Sequence, residues 1–327
     1  MEIHYLILGI ILSFIGLVVY KKLGKRYKIH DEPNERSSHT QIIIRGGGVV
    51  LLVLNILMII IIPSKEIALL SLSLSIAVLT GFVDDIKGLG TSTRFFLYFV
   101  TVAILLFGVV TSRFIPIYYF IPLFIVILGA VNTYNFMDGI NGITSLYSIV
   151  FLASSGFILW KLDVMTFTIP ILLYGCFFIA FTWFNFRKKA LLFLGDSGSV
   201  AMGLFSALIV LLIGIELSSM TSIVLLSVYG VDSVGTLILR LIKKENILKA
   251  HRSHLYQDLV HLKGYSHLQV SAIYALLQTV INGVYITVFS IYGDSSFLFL
   301  TLSILALIYV IAKKRIHGKS LFVSQIG

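Results

Sequence analysis

EIALLSLSLSIAVLTGFVDDIKGLG, residues 66–90, decides the class of this protein. From Ile67 to Val83 it carries no charge, and the run then stops on two adjacent aspartates, Asp84 and Asp85. About 20 mostly apolar residues are what a helix needs to cross a bilayer. Working outward, the pattern recurs along the chain. Eleven spans are expected, at 3–20, 47–63, 66–83, 94–111, 115–131, 143–160, 167–186, 200–215, 220–241, 269–291 and 295–312. Composition agrees: 58% of the 327 residues are hydrophobic and 12% charged, against about 45–50% and 25% in soluble domains. Mean hydropathy is +1.00. A soluble domain and a disordered chain are both excluded, and a single cysteine, Cys176, excludes a disulfide scaffold. The expected fold is an all-α polytopic membrane protein forming one domain over 1–327.

The charges orient it. Basic residues mark the cytoplasmic side of a membrane protein. With the N-terminus outside and eleven spans, 22 of the 25 Lys and Arg fall on inner segments, and only Lys65, Arg113 and Lys161 lie outside. The reading is N-terminus periplasmic, C-terminus cytoplasmic. The net charge of +10 therefore belongs to a membrane surface, and no nucleic-acid partner is expected. The first span lacks a basic segment before it and has its Lys/Arg cluster after it, so it is expected to remain as a span and not to be cleaved. Chemistry is expected on the inner loops, 21–46, 84–94, 132–142, 187–199 and 242–268.

Polar residues gather on that side. Asp84 and Asp85 end one span, and Asn132, Asn135, Asp138 and Asn141 end another in V-N-T-Y-N-F-M-D-G-I-N-G. Asp196 lies in F-L-G-D-S-G-S before the eighth span, and Asp232 sits within the ninth. Ionisable groups at membrane depth are costly and mark functional sites by default. Each group also has a bland reading. Asn132, Asn135 and Asp138, three apart, share a helical face that could be interhelical glue. G-D-S-G-S could be a turn with an N-cap. The glycines at 46–48 fit close packing better than a phosphate cradle. Aspartates at a helix C-terminus oppose the helix dipole, so something positive should compensate. Taken together, carboxylates and amides suit magnesium, and Arg45, His251, Arg252 and His254 suit phosphate oxygens. That combination is what phosphoryl transfer requires, and the membrane setting suggests a lipid substrate. A transporter is the rival class, but its carboxylates typically sit at the midplane between repeated halves, and no repeat is visible.

The blocks D-E-P-N-E-R-S-S-H (31–39), R-G-G-G (45–48), G-F-V-D-D with Leu89 and Arg94, N-T-Y-N-F-M-D-G-I-N-G (132–142), F-L-G-D-S-G-S (193–199), Asp232 with Arg240, and H-R-S-H-L-Y-Q (251–257) occur in this order. Together they resemble the polyprenyl-phosphate N-acetylhexosamine-1-phosphate transferases, glycosyltransferase family 4. The last block is closer to the O-antigen and capsule branch than to the muramoyl-pentapeptide phosphotransferase branch. Some positions depart. Gln41 to Ile44 stand where Thr-Pro-Thr-Pro is frequent, Tyr98 stands where Gln is common, and Pro-Ala is missing near Asn185, whose role stays open.

The resemblance implies transfer of a sugar-1-phosphate from a UDP-sugar to undecaprenyl phosphate at a bacterial inner membrane, with release of UMP, as the first step of a cell-surface glycan. It implies magnesium, or manganese in its place, bound by Asp196 and Asp138. Asp84, Asp85 and Asp196 match catalytic positions, Asp84 being the proposed base for the lipid phosphate. Asn132, Asn135, Asp138 and Asn141 match nucleotide and metal positions, and Phe193 matches an aromatic that stacks on uracil. His251, Arg252 and His254, with Arg45, match diphosphate positions. The sugar and the oligomeric state are left open, a homodimer included.

Overall fold

A computed structural model describes residues 2–33, 41–113, 116–247, 251–289 and 296–318. Twelve α-helices account for most of it: α1 Glu2–Arg26, α2 Leu51–Ile61, α3 Lys65–Lys87, α4 Thr91–Ser112, α5 Phe120–Met137, α6 Ile143–Lys161, α7 Thr168–Asn185, α8 Asp196–Glu216, α9 Ser227–Ile242, α10 Leu255–His261, α11 His267–Phe289 and α12 Ser296–His317. Among the described residues, ten helices are long and apolar enough to cross a membrane. Of the eleven expected spans, 47–63 differs. It forms a 3-10 turn, Gly47–Val50, running into the 11-residue α2. At about 1.5–2 Å per residue these 15 residues fall short of a ~30 Å hydrocarbon core. The short helix nonetheless runs antiparallel beside α3, with Asn55 Nδ2 donating to Ser75 Oγ at 3.3 Å and Met58 opposite Ser71.

α8 is the hub. Of its apolar window 78% is buried, against 17% for α5 and for α12, and it packs on α3 and α5. Its sequence explains this, because small residues recur where partners approach. A Cβ at Gly203 would lie 2.8 Å from the Val131 Cα of α5. Without a hydrophobic force between helices in lipid, such close backbone approach is what holds them. Polar groups inside the bundle are paired across helices. Gln278 of α11 accepts from the Tyr147 hydroxyl (2.7 Å) and the Val228 amide (3.0 Å), and donates to Val224 O (2.9 Å) and Asn282 Oδ1 (2.6 Å).

At the end of the bundle where α1 and α3 finish, β1 (His30–Asp31) pairs antiparallel with β2 (Ile43–Ile44), and Ile44 bridges to Leu192 in parallel. This small sheet carries Arg45 on one side and Phe193 on the other. Within D-E-P-N-E-R-S-S-H, residues 34–39 lie outside the described residues, as do 248–250 of the 242–268 loop.

Candidate active site

α3 delivers Asp84 and Asp85 to its own C-terminus, where the helix dipole disfavours them. The expected compensation is present, and it differs for the two. Asp85 turns inward. Its Oδ1 accepts from Arg45 Nη2 (2.6 Å) and Nε (3.1 Å), and from the Asp196 amide (3.0 Å), while Oδ2 accepts from the Ser197 amide at 3.3 Å. The side chain is 0% exposed. Asp85 therefore caps α8 from another helix, setting its charge against the positive end of the α8 dipole. This changes the reading of G-D-S-G-S. Asp196 is the first residue of α8, not its cap, and Gly195 before it gives no side-chain cap. Gly195 takes φ +74°, and a Cβ there would lie 2.3 Å from Asp85 Oδ2, so only glycine fits. Burial works against the charge of Arg45, but Asp85, Asp196 and Asp31 outweigh it and hold the guanidinium ionised.

Asp84 turns toward Arg94 and the start of α8. It accepts from the Leu89 amide at 2.5 Å and from Arg94 Nη1 at 3.1 Å. The Asp196 carboxyl lies 4.0 Å from the same Nη1 and meets the Asp84 carboxyl within hydrogen-bonding contact. Two carboxylates side by side repel when both are ionised, and a cation relieves this. Arg94, 37% exposed, supplies one charge at the rim. Magnesium commonly takes one or two carboxylates plus substrate phosphates and waters, so the Asp84–Asp196 pair fits such an ion. Among the described residues no three His, Cys, Asp or Glu side chains converge on a common metal position. Asp138 therefore does not join the pair in a three-carboxylate cluster.

The glycines ahead of α2 serve contact and not a phosphate cradle. The Gly47 and Gly48 amides donate to Phe193 O and Leu194 O, both at 2.9 Å, and a Cβ on Gly48 would lie 2.1 Å from the Gly198 nitrogen. The same contact places Phe193, half-buried, beside the site. Gly81 of α3 is equally constrained, since a Cβ would lie 2.4 Å from the backbone of Asp196 and Ser197.

The N-T-Y-N-F-M-D-G-I-N-G block divides by role. Asn132 and Asn135 sit half-buried on α5, and the helix stops after Met137 with Asp138 as its C-cap, its amide donating to Asn135 O at 3.3 Å. The cause is the Tyr256 hydroxyl, which donates to Phe136 O at 2.9 Å and occupies the space where a Cβ of Gly139 would be. Burial pushes the Asp138 carboxyl up to about 7, with the Asp85 charge adding to the rise and Thr144 and Arg45 opposing it. Asn141 is consumed by structure. Its Nδ2 donates to Arg187 O at 2.8 Å, its amide donates to His267 Nδ1 at 3.3 Å, and its carbonyl accepts from Ser271 Oγ at 2.8 Å. Asn185, whose role was open, clamps the neighbouring turn. It accepts from the Gly142 amide at 2.6 Å and donates to Leu192 O at 2.9 Å.

H-R-S-H-L-Y-Q folds back into the bundle. Asp232 of α9 accepts from the amides of Leu255 (2.8 Å) and Tyr256 (3.2 Å) and from the Tyr274 hydroxyl (2.6 Å). It is thus the anchor of α10 and not an isolated mid-span charge. His254 lies 3.5 Å from Asp232 through Nδ1 and stacks between Phe136 and Tyr256, with the His251 ring 4.9 Å away. Arg252 is half-buried between the two histidines. Burial and the neighbouring His254, Arg240 and Lys313 charges lower His251 to about 4, so its imidazole is neutral at pH 7. Arg240 holds the preceding turn through Glu245 Oε2 (3.0 Å) and Asn246 O (2.6 Å). Two elements escaped sequence reading: the capping geometry of Asp85, and a lysine of α12, Lys313, that reaches this loop. In the sequence Lys313 is one more basic residue after a span, and no local signal distinguishes it.

Comparison with known proteins gives matching results. Residues 67–214, which run from α3 through α8, match the family model described as glycosyl transferase family 4. The chain is 25% identical over 301 residues to a probable undecaprenyl-phosphate N-acetylglucosaminyl 1-phosphate transferase of Bacillus subtilis (strain 168), covering 83% of this chain and 82% of that one. It is 30% identical over 261 residues to a phospho-N-acetylmuramoyl-pentapeptide-transferase of Streptococcus pyogenes serotype M18, covering 66% and 75%. A protein of the same name from Dictyoglomus thermophilum is 31% identical over 163 residues, covering 44% and 51%. The segment common to the model and to a carboxylate pair framed by Arg45, Arg94 and the start of α8 leaves one assignment: the chain belongs to glycosyl transferase family 4, the polyprenyl-phosphate N-acetylhexosamine-1-phosphate transferases.

Proposed function

We propose that this protein transfers an N-acetylhexosamine-type sugar-1-phosphate from a UDP-sugar to undecaprenyl phosphate, releasing UMP, as the initiating step of a cell-surface glycan. The observation that carries the reading is the Asp84–Asp196 pair across Arg94. It is a carboxylate pair held where the C-terminus of α3 meets the N-terminus of α8, with a guanidinium beside it.

Asp84 and Asp196 would hold the magnesium, or manganese in its place. Bound there, the ion neutralises charge on the transferring phosphoryl group. Asp85 keeps Asp196 in place by fixing the first turn of α8, and Arg45 holds Asp85 through Nη2 and Nε. The lipid phosphate is a monoester with a second pKa near ~6, so at neutral pH it is largely a dianion. Asp84 then has positioning to do more than proton removal. An oxygen of the lipid phosphate forms a bond to the β-phosphorus of the UDP-sugar. The bond from that phosphorus to the bridging oxygen breaks, and UMP departs with the electron pair. Arg252 offers a planar fork for the diphosphate oxygens. His251, neutral beforehand, and His254 add ring N–H donors, and Phe193 offers a face to uracil. Purified protein should release UMP from a UDP-sugar in a panel of N-acetylhexosamine donors, and only when both polyprenyl phosphate and magnesium are present. Release without the lipid phosphate, or undiminished by EDTA, would reject the reading.

The basic residues support a cytoplasmic site at a bacterial inner membrane, with the N-terminus periplasmic and the C-terminus cytoplasmic. Lys188 lies in the loop that Asn141 ties to the site, whereas Lys161 ends α6 far from it in sequence. A reporter fused after Lys161 should read periplasmic and one after Lys188 cytoplasmic. The same reading at both positions would break the topology.

A further inference from the structure

The basic loop is gripped from two sides, and only one grip is explained by its own helix. From α9, Asp232 takes the Leu255 and Tyr256 amides. From α12, the last long helix of the chain, Lys313 reaches in on the other side. Its side chain is 2% exposed, rare for a lysine unless it is paired. Nζ donates to Ser253 O at 2.5 Å and to Asp258 Oδ2 at 2.7 Å. Ser253 stands between Arg252 and His254, and its Oγ lies 3.0 Å from His251 Nδ1. Asp258 is in the first turn of α10 and 4% exposed, and it also meets His317 Nε2 at 2.6 Å. One turn earlier on α12, the Tyr309 hydroxyl lies 3.0 Å from Thr236 Oγ1, which in turn reaches Asp232 at 3.3 Å. α12 is thus joined to both ends of the grip.

We propose that Lys313 is a positioning residue for the diphosphate of the nucleotide-sugar donor. By bonding the Ser253 carbonyl and Asp258 together, it fixes the segment that presents His251, Arg252 and His254. This rests on the transferase reading for its consequence, but not for its geometry. An ammonium with three donors joins a backbone carbonyl and a carboxylate in different directions, and no apolar side chain replaces that. Removing it also takes a close cationic partner from Asp258, which is buried. The lipid substrate is positioned by other groups, so its use should be spared.

The test compares full-length wild type, Lys313→Met and Lys313→Arg. Lys313→Met should raise KM for the UDP-sugar roughly tenfold through misplacement of the loop. The kcat and the KM for polyprenyl phosphate should stay near wild type, and Lys313→Arg should recover most of the loss. Hydrogen exchange at the Leu255 and Tyr256 amides should quicken in Lys313→Met and not in Lys313→Arg. An unchanged donor KM overturns the proposal. So does an equal loss for both substrates with a lowered melting temperature, which would mark a purely structural lysine. If wild type itself releases no UMP, the transferase reading falls, and unchanged exchange at 255–256 then overturns the anchoring on its own. Should Lys313→Met fail to fold, Asp258→Asn carries the same comparison.

Discussion

Asp196→Asn is expected to abolish UMP release while the purified protein keeps its melting temperature. The substitution preserves shape and removes one charge from the pair beside Arg94. The α8 start does not depend on that side chain, because the Asp196 amide and the Ser197 amide are both taken by Asp85. What is lost, on the proposed function, is an anionic ligand for a divalent ion. Metal charge stabilisation contributes several kcal/mol to a phosphoryl transition state, and each 1.36 kcal/mol is tenfold in rate, so a loss of about a thousandfold or more is expected. Steady-state UMP release at saturating substrates and a melting curve in detergent decide it. Wild-type turnover in Asp196→Asn would remove this carboxylate from the mechanism, and a collapsed melting curve would make it a fold residue instead.

Gly81→Ala should come next in size, although it adds only one methyl and touches no substrate. That methyl would lie 2.4 Å from the Asp196 carbonyl and the Ser197 nitrogen. Backbone cannot rotate away as a side chain can, so α3 and α8 must separate. Asp84 rides on α3 and Asp196 on α8, and the separation acts directly on the distance between them. A shift of about 1 Å at a reacting centre can cost ~10²-fold, and overpacking a tight contact costs about 1–3 kcal/mol of stability. Turnover should therefore fall about a hundredfold, with modest loss of melting temperature. Gly175→Ala is the control, for a Cβ there meets nothing within 4 Å, and it should be neutral or slightly stabilising. Equal activity in the two variants would mean that the α3–α8 contact does not set the carboxylate geometry.

The carboxylates of the candidate site were legible in the sequence, because carboxylates at the ends of apolar runs are conspicuous. Asp84 and Asp196 stand out for that reason, and the need for a nearby cation followed from helix dipoles alone. What could not be read was how each carboxylate spends its oxygens. Asp84 and Asp85 are neighbours of identical type, yet one turns toward Arg94 and the other caps a helix more than a hundred residues away in sequence. Only the approach of α8 decides between them. Asn141, Asn185 and Asp232 follow the same rule. Each is polar and near the membrane, and each bonds backbone groups supplied from remote segments. Run length also misjudged α2, since an apolar run reports burial and not where a 3-10 turn consumes its first residues. Lys313 was invisible because the basic residues that orient a membrane protein are ordinarily solvated, and nothing local marks the one that is buried.

Gly48 against Gly198, Gly81 against Asp196 and Gly203 against Val131 are contacts of main chain with main chain. No rotamer stands between these helices to absorb displacement, so α3, α5, α8 and the turn ahead of α2 behave as one stiff body. The 251–256 segment is built from the opposite material. It is held by directional bonds from the Asp232 carboxylate and the Lys313 ammonium. On the proposed function the carboxylate pair sits on the main-chain contacts, and the donor's diphosphate meets the segment held by side chains. Motion that admits the nucleotide and releases UMP is then expected in the 251–256 segment and not at the carboxylate pair.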